Sequence, residues 1–457
     1  MKPTSIAVVL LFLAGVYAHP SIGAQPANDD FAAAENGGRT LEDFFTAALN
    51  TNPSLSAARA RWSIGTARKD AMNGQFLPQV NASANLSDNQ RTSLGEDSEY
   101  KGKRYSLQVS QVLFNWEAYA ARQQAYLLED QTEAEYYVEL AKLLTDVADK
   151  YLGVLQAEDA LLSVNAELDA MTNQINQIET MYGLQLVKIT DLYAAQARLA
   201  AVSAEHVDVE SNLAISREAL RAIADLPVGN LARLPVAIEV PQLDGDLNEW
   251  LARANANNRQ IAASSFALQR ADKAVSQERG AYLPRASLVF QQQLSDIGFE
   301  NVRLSESETS YVGIDFSVPL FAGGSNRAAV REATSRRSIA ESELKQIQLD
   351  TTAKTRLAYL QVKSGESRIN AARTLAESTT TSYTAMQRGF ELATVTSVDV
   401  LNALRDQFRA QRDLQKARYD HIRANLVLRR EAGILTAADL LNVSGLLNNT
   451  DSALNAQ

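Results

Sequence analysis

Gly74-Gln-Phe-Leu-Pro78-Gln-Val-Asn-Ala-Ser-Ala-Asn-Leu-Ser87 joins a helix stop to an alternating run. Val80, Ala82, Ala84 and Leu86 fall on one face. Gln79, Asn81, Ser83, Asn85 and Ser87 fall on the other, with the period-two pattern of a strand. The stretch then returns. Gly280-Ala-Tyr-Leu-Pro284 leads into Ala286, Leu288 and Phe290, which alternate with Ser287 and Gln291.

The return is part of a long internal repeat. Leu41-Glu-Asp-Phe44 recurs as Leu247-Asn-Glu-Trp250, and Gly74 to Pro78 as Gly280 to Pro284, at a constant offset of 206 residues. Leu113-Phe114 matches Leu320-Phe321 at 207; Tyr151-Leu152 matches Tyr359-Leu360, and Asp191 matches Asp399, at 208. Two halves, 40–225 and 246–433, are therefore expected, each a duplicated domain-sized unit rather than a solenoid module. Each opens with a helix-like segment, about 40–74 and 246–280, closed by Gly and Leu-Pro.

Two strands are expected in each half, at about 79–87 and 104–114, then 285–294 and 311–321. In the second members Tyr105, Leu107 and Val109 alternate with Ser106, Gln108 and Ser110, and Val312, Ile314, Phe316 and Val318 with Gly313, Asp315 and Ser317. The polar segments 88–104 and 295–310 read as exposed loops. A soluble sheet would show the same alternation. Strands of about 9–11 residues suit a tilted crossing of a bilayer, however, and a face of Gln, Asn, Ser and Asp suits a watery lumen. Four strands cannot close a barrel and open edges are not tolerated in lipid, so several chains must share one; three would supply twelve strands.

Long proline-free gaps follow each strand pair, from Pro78 to Pro227 and after Pro319. Helical hairpins are expected there, 116–181 with 191–225 and 324–389 with 399–432. Leu161, Val164, Leu168, Met171, Ile175 and Ile178 form a heptad seam. The returning helix carries Leu192, Ala195, Leu199, Val202, His206, Val209, Leu213, Ser216, Leu220 and Ile223; its second-half counterpart carries Val400, Ala403, Gln407, Ala410, Leu414, Ala417, His421, Ala424 and Leu428. A strict seven-residue repeat implies left-handed supercoiling. The fold class is thus mainly α with β: duplicated halves forming a shared transmembrane β-barrel continued by an α-helical coiled-coil barrel.

Residues 1–24 read as a secretory signal peptide, with Lys2 before an apolar run and small residues placing cleavage after 18 or 24. Residues 25–39 read as a linker, as do 226–245 with their prolines, and the polar tail 434–457 is expected to be partly disordered. The 457 residues contain no cysteine, which removes disulfides, thiolate ligands and a lipidated cysteine. A net charge of −10 argues against a nucleic-acid partner.

Two tip segments carry a family resemblance. Tyr182-Gly-Leu-Gln-Leu-Val-Lys-Ile-Thr190-Asp191-Leu192 and Phe390-Glu-Leu-Ala-Thr-Val-Thr-Ser-Val-Asp399-Val-Leu-Asn402-Ala403, with Ala417-Arg418-Tyr419, resemble the TolC-like outer-membrane efflux family over about residues 40–435. The resemblance implies a homotrimer embedded in outer-membrane lipid, with a twelve-strand barrel and a twelve-helix periplasmic tunnel closed at its inner end. It also implies a periplasmic adaptor (a membrane fusion protein) and an inner-membrane pump, of the ABC or the RND class. Such a duct would be the passive conduit of a tripartite efflux or type I secretion system.

By the same resemblance, Asp399 falls at a carboxylate ring of the pore entrance and Asn402 where a second ring carboxylate would stand. Thr190, Asp191 and Arg418 match the network that closes the entrance, while Phe390 and Val395 replace its usual Tyr and Arg. Tyr182, Gln185, Leu186, Ala393 and Thr394 would face the adaptor, with Gln185 and Ala393 standing where the family has glycines. Asp191 and Asp399 each also read as helix N-caps.

Enzyme chemistry is not expected. His206 and His421 lie in heptad seams and read as packing residues, and no Ser-His-Asp constellation, H-E-x-x-H or phosphate loop is evident. No catalytic residue, metal or cofactor is expected, and Gly323-Gly324 reads as a tight strand-to-helix turn. The competing reading is a periplasmic coiled-coil adaptor, which would explain the hairpins but not two full helix–strand–strand–helix–helix halves.

Overall fold

In the computed structural model, residues 39–93, 96–232, 243–297, 302–392 and 394–448 are described. The expected signal peptide and nearly all of the N-terminal linker lie outside them, as do residues 233–242 of the inter-half linker. The first half runs α1 (Leu41–Thr51), α2 (Pro53–Gly74), β1 (Gln79–Ser93), β2 (Glu96–Asn115), α3 (Trp116–Gly183) and α4 (Ile189–Ala224). The second runs α5 (Leu247–Asn257), α6 (Arg259–Gly280), β3 (Arg285–Ile297), β4 (Arg303–Ser317), α7 (Ser325–Glu391) and α8 (Ser397–Glu431), and α9 (Ala437–Asn448) follows.

The opening segment of each half is two helices, not one. Asn52 holds an extended ψ of 120° and its Oδ1 accepts the Leu55 N–H at 3.1 Å, with Pro53 beginning α2. Asn258 does the same at ψ 119°, accepting from Gln260 and Ile261. A short amide that satisfies free N–H groups competes with helix continuation, and a proline removes a donor as well.

The sheet has the order β1-β2-β3-β4, all antiparallel. Its registers align the alternation: Val80 faces Val109, Ala82 faces Leu107, Leu288 faces Ile314 and Ala286 faces Phe316. The segments expected as loops are largely strand. Pairing continues through Asp88–Lys101 to Ser93–Glu96, and through Ile297–Arg303. Pairing persists there after the apolar period has ended, because the ladder hydrogen bonds satisfy the backbone whatever the side chains face. At the other end β4 stops at Ser317, short of the expected 321, because it is an edge strand. Its counterpart β2 continues to Asn115 by pairing with β3.

The strand-to-helix turn before α7 uses Gly323 and Gly324, at φ +60° and +86°. These are left-handed values that glycine adopts without a Cβ penalty. The 68 residues of α3 give a helix about 100 Å long at about 1.5 Å per residue. Every expected seam position on α4 and α8 is buried or half-buried.

Three apolar cores are formed among the described residues. The central one packs Leu41 and Phe44 of α1 against Val147, Tyr151 and Leu155 of α3, with Leu220, Ile422 and Leu440. Within it the Tyr151 hydroxyl donates toward Arg39 O (3.0 Å) and accepts the Ala232 N–H (3.1 Å). It thereby ties down the chain on both sides of the first half, where Arg39 and Leu231 form a parallel bridge. Burial pushes the Tyr151 pKa up, so the hydroxyl stays neutral. Trp250, the repeat counterpart of Phe44, anchors a second core with Val362 and Leu428. The third core lies toward the hairpin turns. The tail expected to be partly disordered contains α9, whose Leu440 and Val443 are buried.

Candidate channel entrance

Both hairpin turns close alike. In the first, Leu186 N–H reaches back to Met181 O (2.9 Å) and Gln185 N–H to Tyr182 O (2.8 Å). In the second, Thr394 N–H reaches back to Gly389 O (2.8 Å), and the residues correspond at the 208 offset. These six-residue closures satisfy the last carbonyls of α3 and α7. Gln185 sits at φ +61°, in the left-handed region that glycine tolerates best. Tyr182, Leu186 and Thr394 are exposed, and Ala393 lies outside the described residues.

Asp399 occupies the third position of α8 in a capping box. Its Oδ2 accepts from Thr396 Oγ1 (2.7 Å) and Thr396 N–H (3.0 Å), and Thr396 Oγ1 accepts its N–H in return. Those hydrogen bonds hold the exposed carboxyl below its ordinary pKa. Thr396 is the N-cap, so Asp399 does not cap α8 as expected; it stands at the third helical position as the other half of a capping box. Asp191 does not cap α4. That position is Lys188, without a side-chain bond, and Asp191 lies in the first turn beside Thr190, whose hydroxyl points to it at 3.4 Å. A first-turn carboxylate still complements the helix dipole.

Phe390 and Val395 lie in one apolar cluster with Met181, Val187, Leu192, Val400, Leu401 and Leu404. This cluster unites both hairpin turns. Val395 covers Gly389, where an added Cβ would come within 3.1 Å of its methyl. Asn402 Oδ1 accepts from Arg198 Nη2 at 2.9 Å, linking α8 to α4. Further along, Arg412 of α8 bridges Glu167 of α3 (2.6 Å) and Glu205 of α4 (3.2 Å). Glu167 is 1 % exposed, and its burial, opposed by the Arg412 hydrogen bond and charge, raises its pKa.

The protomer does not bring Arg418 to the other entrance residues. It stands sixteen residues past Asn402, about 24 Å along α8. There it is buried, with Nη1 donating to Gln415. Burial and then the Arg373 charge lower its pKa. His421 is buried against α7, whose Gly365 leaves the space its imidazole fills. Reading of the sequence missed Arg198, Glu167, Glu205 and Arg412. The one signal available was a Glu beside the α3 seam, between Val164 and Leu168.

At the other end, the sheet presents a band that is apolar and exposed, including Val80, Leu86, Val312, Ile314 and Phe316. Among the described residues no helix is long and apolar enough to cross a membrane. Strands with an outward apolar face, set on paired helical hairpins, define the protomer of an outer-membrane channel. The sequence profile described as "Outer membrane efflux protein" matches residues 45–224 and 250–454, and the chain belongs to that family.

Relatives include the alkaline protease secretion protein AprF of Pseudomonas aeruginosa, 29 % identical over 411 residues, covering 88 % of this chain and 85 % of that one. The outer membrane protein TolC of Escherichia coli is 26 % identical over 423 residues, covering 89 % and 85 %. Among solved structures, the Campylobacter jejuni CmeC outer membrane channel superposes with a TM-score of 0.77 at 16 % identity, over 91 % of this chain and 90 % of that one. The outer-membrane channel OprN gives 0.75 at 20 %, over 86 % and 89 %. The chain is therefore an outer-membrane export channel with its helical part in the periplasm, and the adaptor reading is set aside.

Proposed function

We propose that three copies of this chain close one twelve-strand barrel and one helical tunnel, and that the assembly is the passive outer conduit of a type I protein secretion system. The observation that carries the assembly is the open four-stranded sheet. Its edge strands β1 and β4 each lack a second neighbour while its apolar face is exposed, a state lipid does not tolerate. Exposed Ile339, Leu349 and Leu357 along α7 favour a second copy there too. The protein-secretion assignment rests on AprF, whose name is that of a protease secretion protein. A periplasmic adaptor would dock on the turns through Tyr182, Gln185, Leu186, Ala393 and Thr394, and an ABC pump would supply energy and select cargo.

At the entrance, Asp399 would contribute three carboxylates around the axis, attracting cations where a narrow low-dielectric passage strengthens the field. The shared apolar cluster of Phe390 and Val395, with the Arg198–Asn402 bond, would take over closure from the family's Tyr and Arg, alongside Thr190, Asp191 and Arg418. The test is deletion and complementation. Loss of an exported protein from the medium, with an ABC pump cross-linked to the duct, is the expected result. Loss of drug resistance alone, with an RND pump captured, would overturn the secretion assignment.

A further inference from the structure

The internal duplication carries information about the contact between copies. Within the chain the two hairpins have one register: adding 206 to β1 and 207 to β2 turns Val80–Val109, Ala82–Leu107 and Ala84–Tyr105 into Ala286–Phe316, Leu288–Ile314 and Phe290–Val312, each an observed pair. Local geometry is transferred with it. The Thr66–Glu129 contact between α2 and α3 (3.0 Å) recurs as Asp272–Arg337 between α6 and α7 (2.5 Å), at offsets of 206 and 208. The halves are therefore structurally equivalent, and the β2–β3 junction between them is a template for a junction the single chain leaves open.

Resting on the shared-barrel reading above, we infer that β4 of one copy pairs with β1 of the next in the register that the β2–β3 junction dictates. The observed pairs Leu107–Gln292, Val109–Phe290, Gln111–Leu288 and Phe114–Ala286 map onto four seam pairs. Ile314, Phe316, Val318 and Phe321 then face Leu86, Ala84, Ala82 and Val80 of the next copy. All four are apolar on apolar. On the lumen face, Asp315 meets Asn85 of the next copy, and Ser317 meets Ser83.

Three features argue for this register over its neighbours. A slip of one residue would turn each apolar side chain toward a polar one, because side chains alternate. The template has a bulge between Val112 and Phe114, which maps to Pro319 and Phe321. Proline lacks a ladder donor and is accommodated at a bulge, which opposes a slip of two. Leu320 and Phe321, at 94 % and 89 % exposed, stand where β2 continues beside β3, so the seam would cover Phe321.

The absence of native cysteine makes the test direct. Chains carrying Asn85→Cys with Asp315→Cys are oxidised in outer membranes, boiled and run without reductant. Within one chain these positions lie across three strand spacings, about 14 Å, beyond disulfide reach. Any bond must therefore join copies, and a covalent trimer is expected. Ser83→Cys or Ser87→Cys with Asp315→Cys should cross-link far less, as diagonal neighbours about 7–8 Å apart. Gln108→Cys with Gln291→Cys, the intrachain counterpart, shows that such a pair oxidises. Preferential cross-linking of a diagonal pair would overturn the register but leave the shared barrel standing. Cross-linking of no pair, in a chain that migrates as a monomer unboiled, would overturn the shared barrel itself. Cross-linking of no pair in an intact trimer would overturn the seam.

Discussion

Replacing Arg412 by Met tests which polar contact fastens the two hairpins together. Arg412 holds Glu167 at 2.6 Å and Glu205 at 3.2 Å, but the two carboxylates differ: Glu167 is 1 % exposed and Glu205 is 45 % exposed. Breaking a buried pair strands a charge and costs about 3–5 kcal/mol. An exposed pair contributes about 0–1 kcal/mol. Arg412→Met should therefore destabilise several-fold more than Glu205→Gln, and Glu167→Gln/Arg412→Met should recover part of the loss, because the stranded charge is gone. The pH dependence has a definite sign. Burial already raises the Glu167 pKa above its ordinary value of 4.5, and removing Arg412 deletes the two largest opposing causes. A carboxyl whose pKa is raised by folding favours the folded state below its unfolded pKa, and that contribution is lost as pH rises through the folded value. The Arg412→Met deficit is thus largest near neutrality and shrinks on acidification as Glu167, its pKa raised by burial, takes up a proton. Apparent Tm by far-UV circular dichroism in detergent measures it. A deficit no larger than that of Glu205→Gln, or one that grows on acidification, would refute the reasoning.

Tyr151→Phe removes a buried hydroxyl that serves Arg39 O and the Ala232 N–H, and should cost about 1–3 kcal/mol in thermal unfolding without altering conductance. Asp399→Ala and Asp399→Asn should both weaken block by multivalent cations in single-channel recordings. Only the alanine should also fray the start of α8 in hydrogen exchange; unchanged block in both would remove Asp399 from selectivity. Gln185→Val forces a β-branched residue to φ +61° and should destabilise the first turn by about 1–2 kcal/mol, whereas Gln185→Gly should not. Amide exchange at Leu186, whose N–H closes that turn, distinguishes them, and equal rates in the two variants would refute a strained Gln185.

The parts of the fold legible in the sequence were those in which one physical constraint runs unbroken along the chain. Period two marks residues 79–87 because one face is apolar and the other polar; it ends at Ser87, although β1 runs on to Ser93. The heptads of α3, α4 and α8 were readable because one seam is buried over many turns. Breaks set by a single side chain were harder. A single segment over 40–74 passes over Pro53, which marks the first interruption, and the counterpart at Asn258 depends on one amide, which also donates to Glu431 O across the fold. The helix in the tail had a signal, since Thr436 and Asp439 cap it as Thr396 and Asp399 cap α8. The asparagines at its end gave the segment a polar average which concealed two buried apolar side chains, Leu440 and Val443.

The entrance divides along similar lines. Comparison with the family motif locates Asp399 and marks Phe390 and Val395 as departures. The contacts proposed to take over from the missing groups join residues 204 and 245 positions apart, a separation no short motif spans. Their placement has an energetic consequence for the proposed closure. An ion pair at a wet constriction is screened by salt within about a Debye length and contributes little. On the proposed closure, Phe390 and Val395 in place of Tyr and Arg would exchange such contacts for an apolar cluster that carries no charge for salt to screen. A buried charge pair between the hairpins, Arg412 on Glu167, lies ten residues past Asn402, about 15 Å along α8, where burial shields it. On the proposed closure, the motif positions that depart from the family would be compensated at two levels: hydrophobic packing at the turn, and a buried ionic bridge further up the helices.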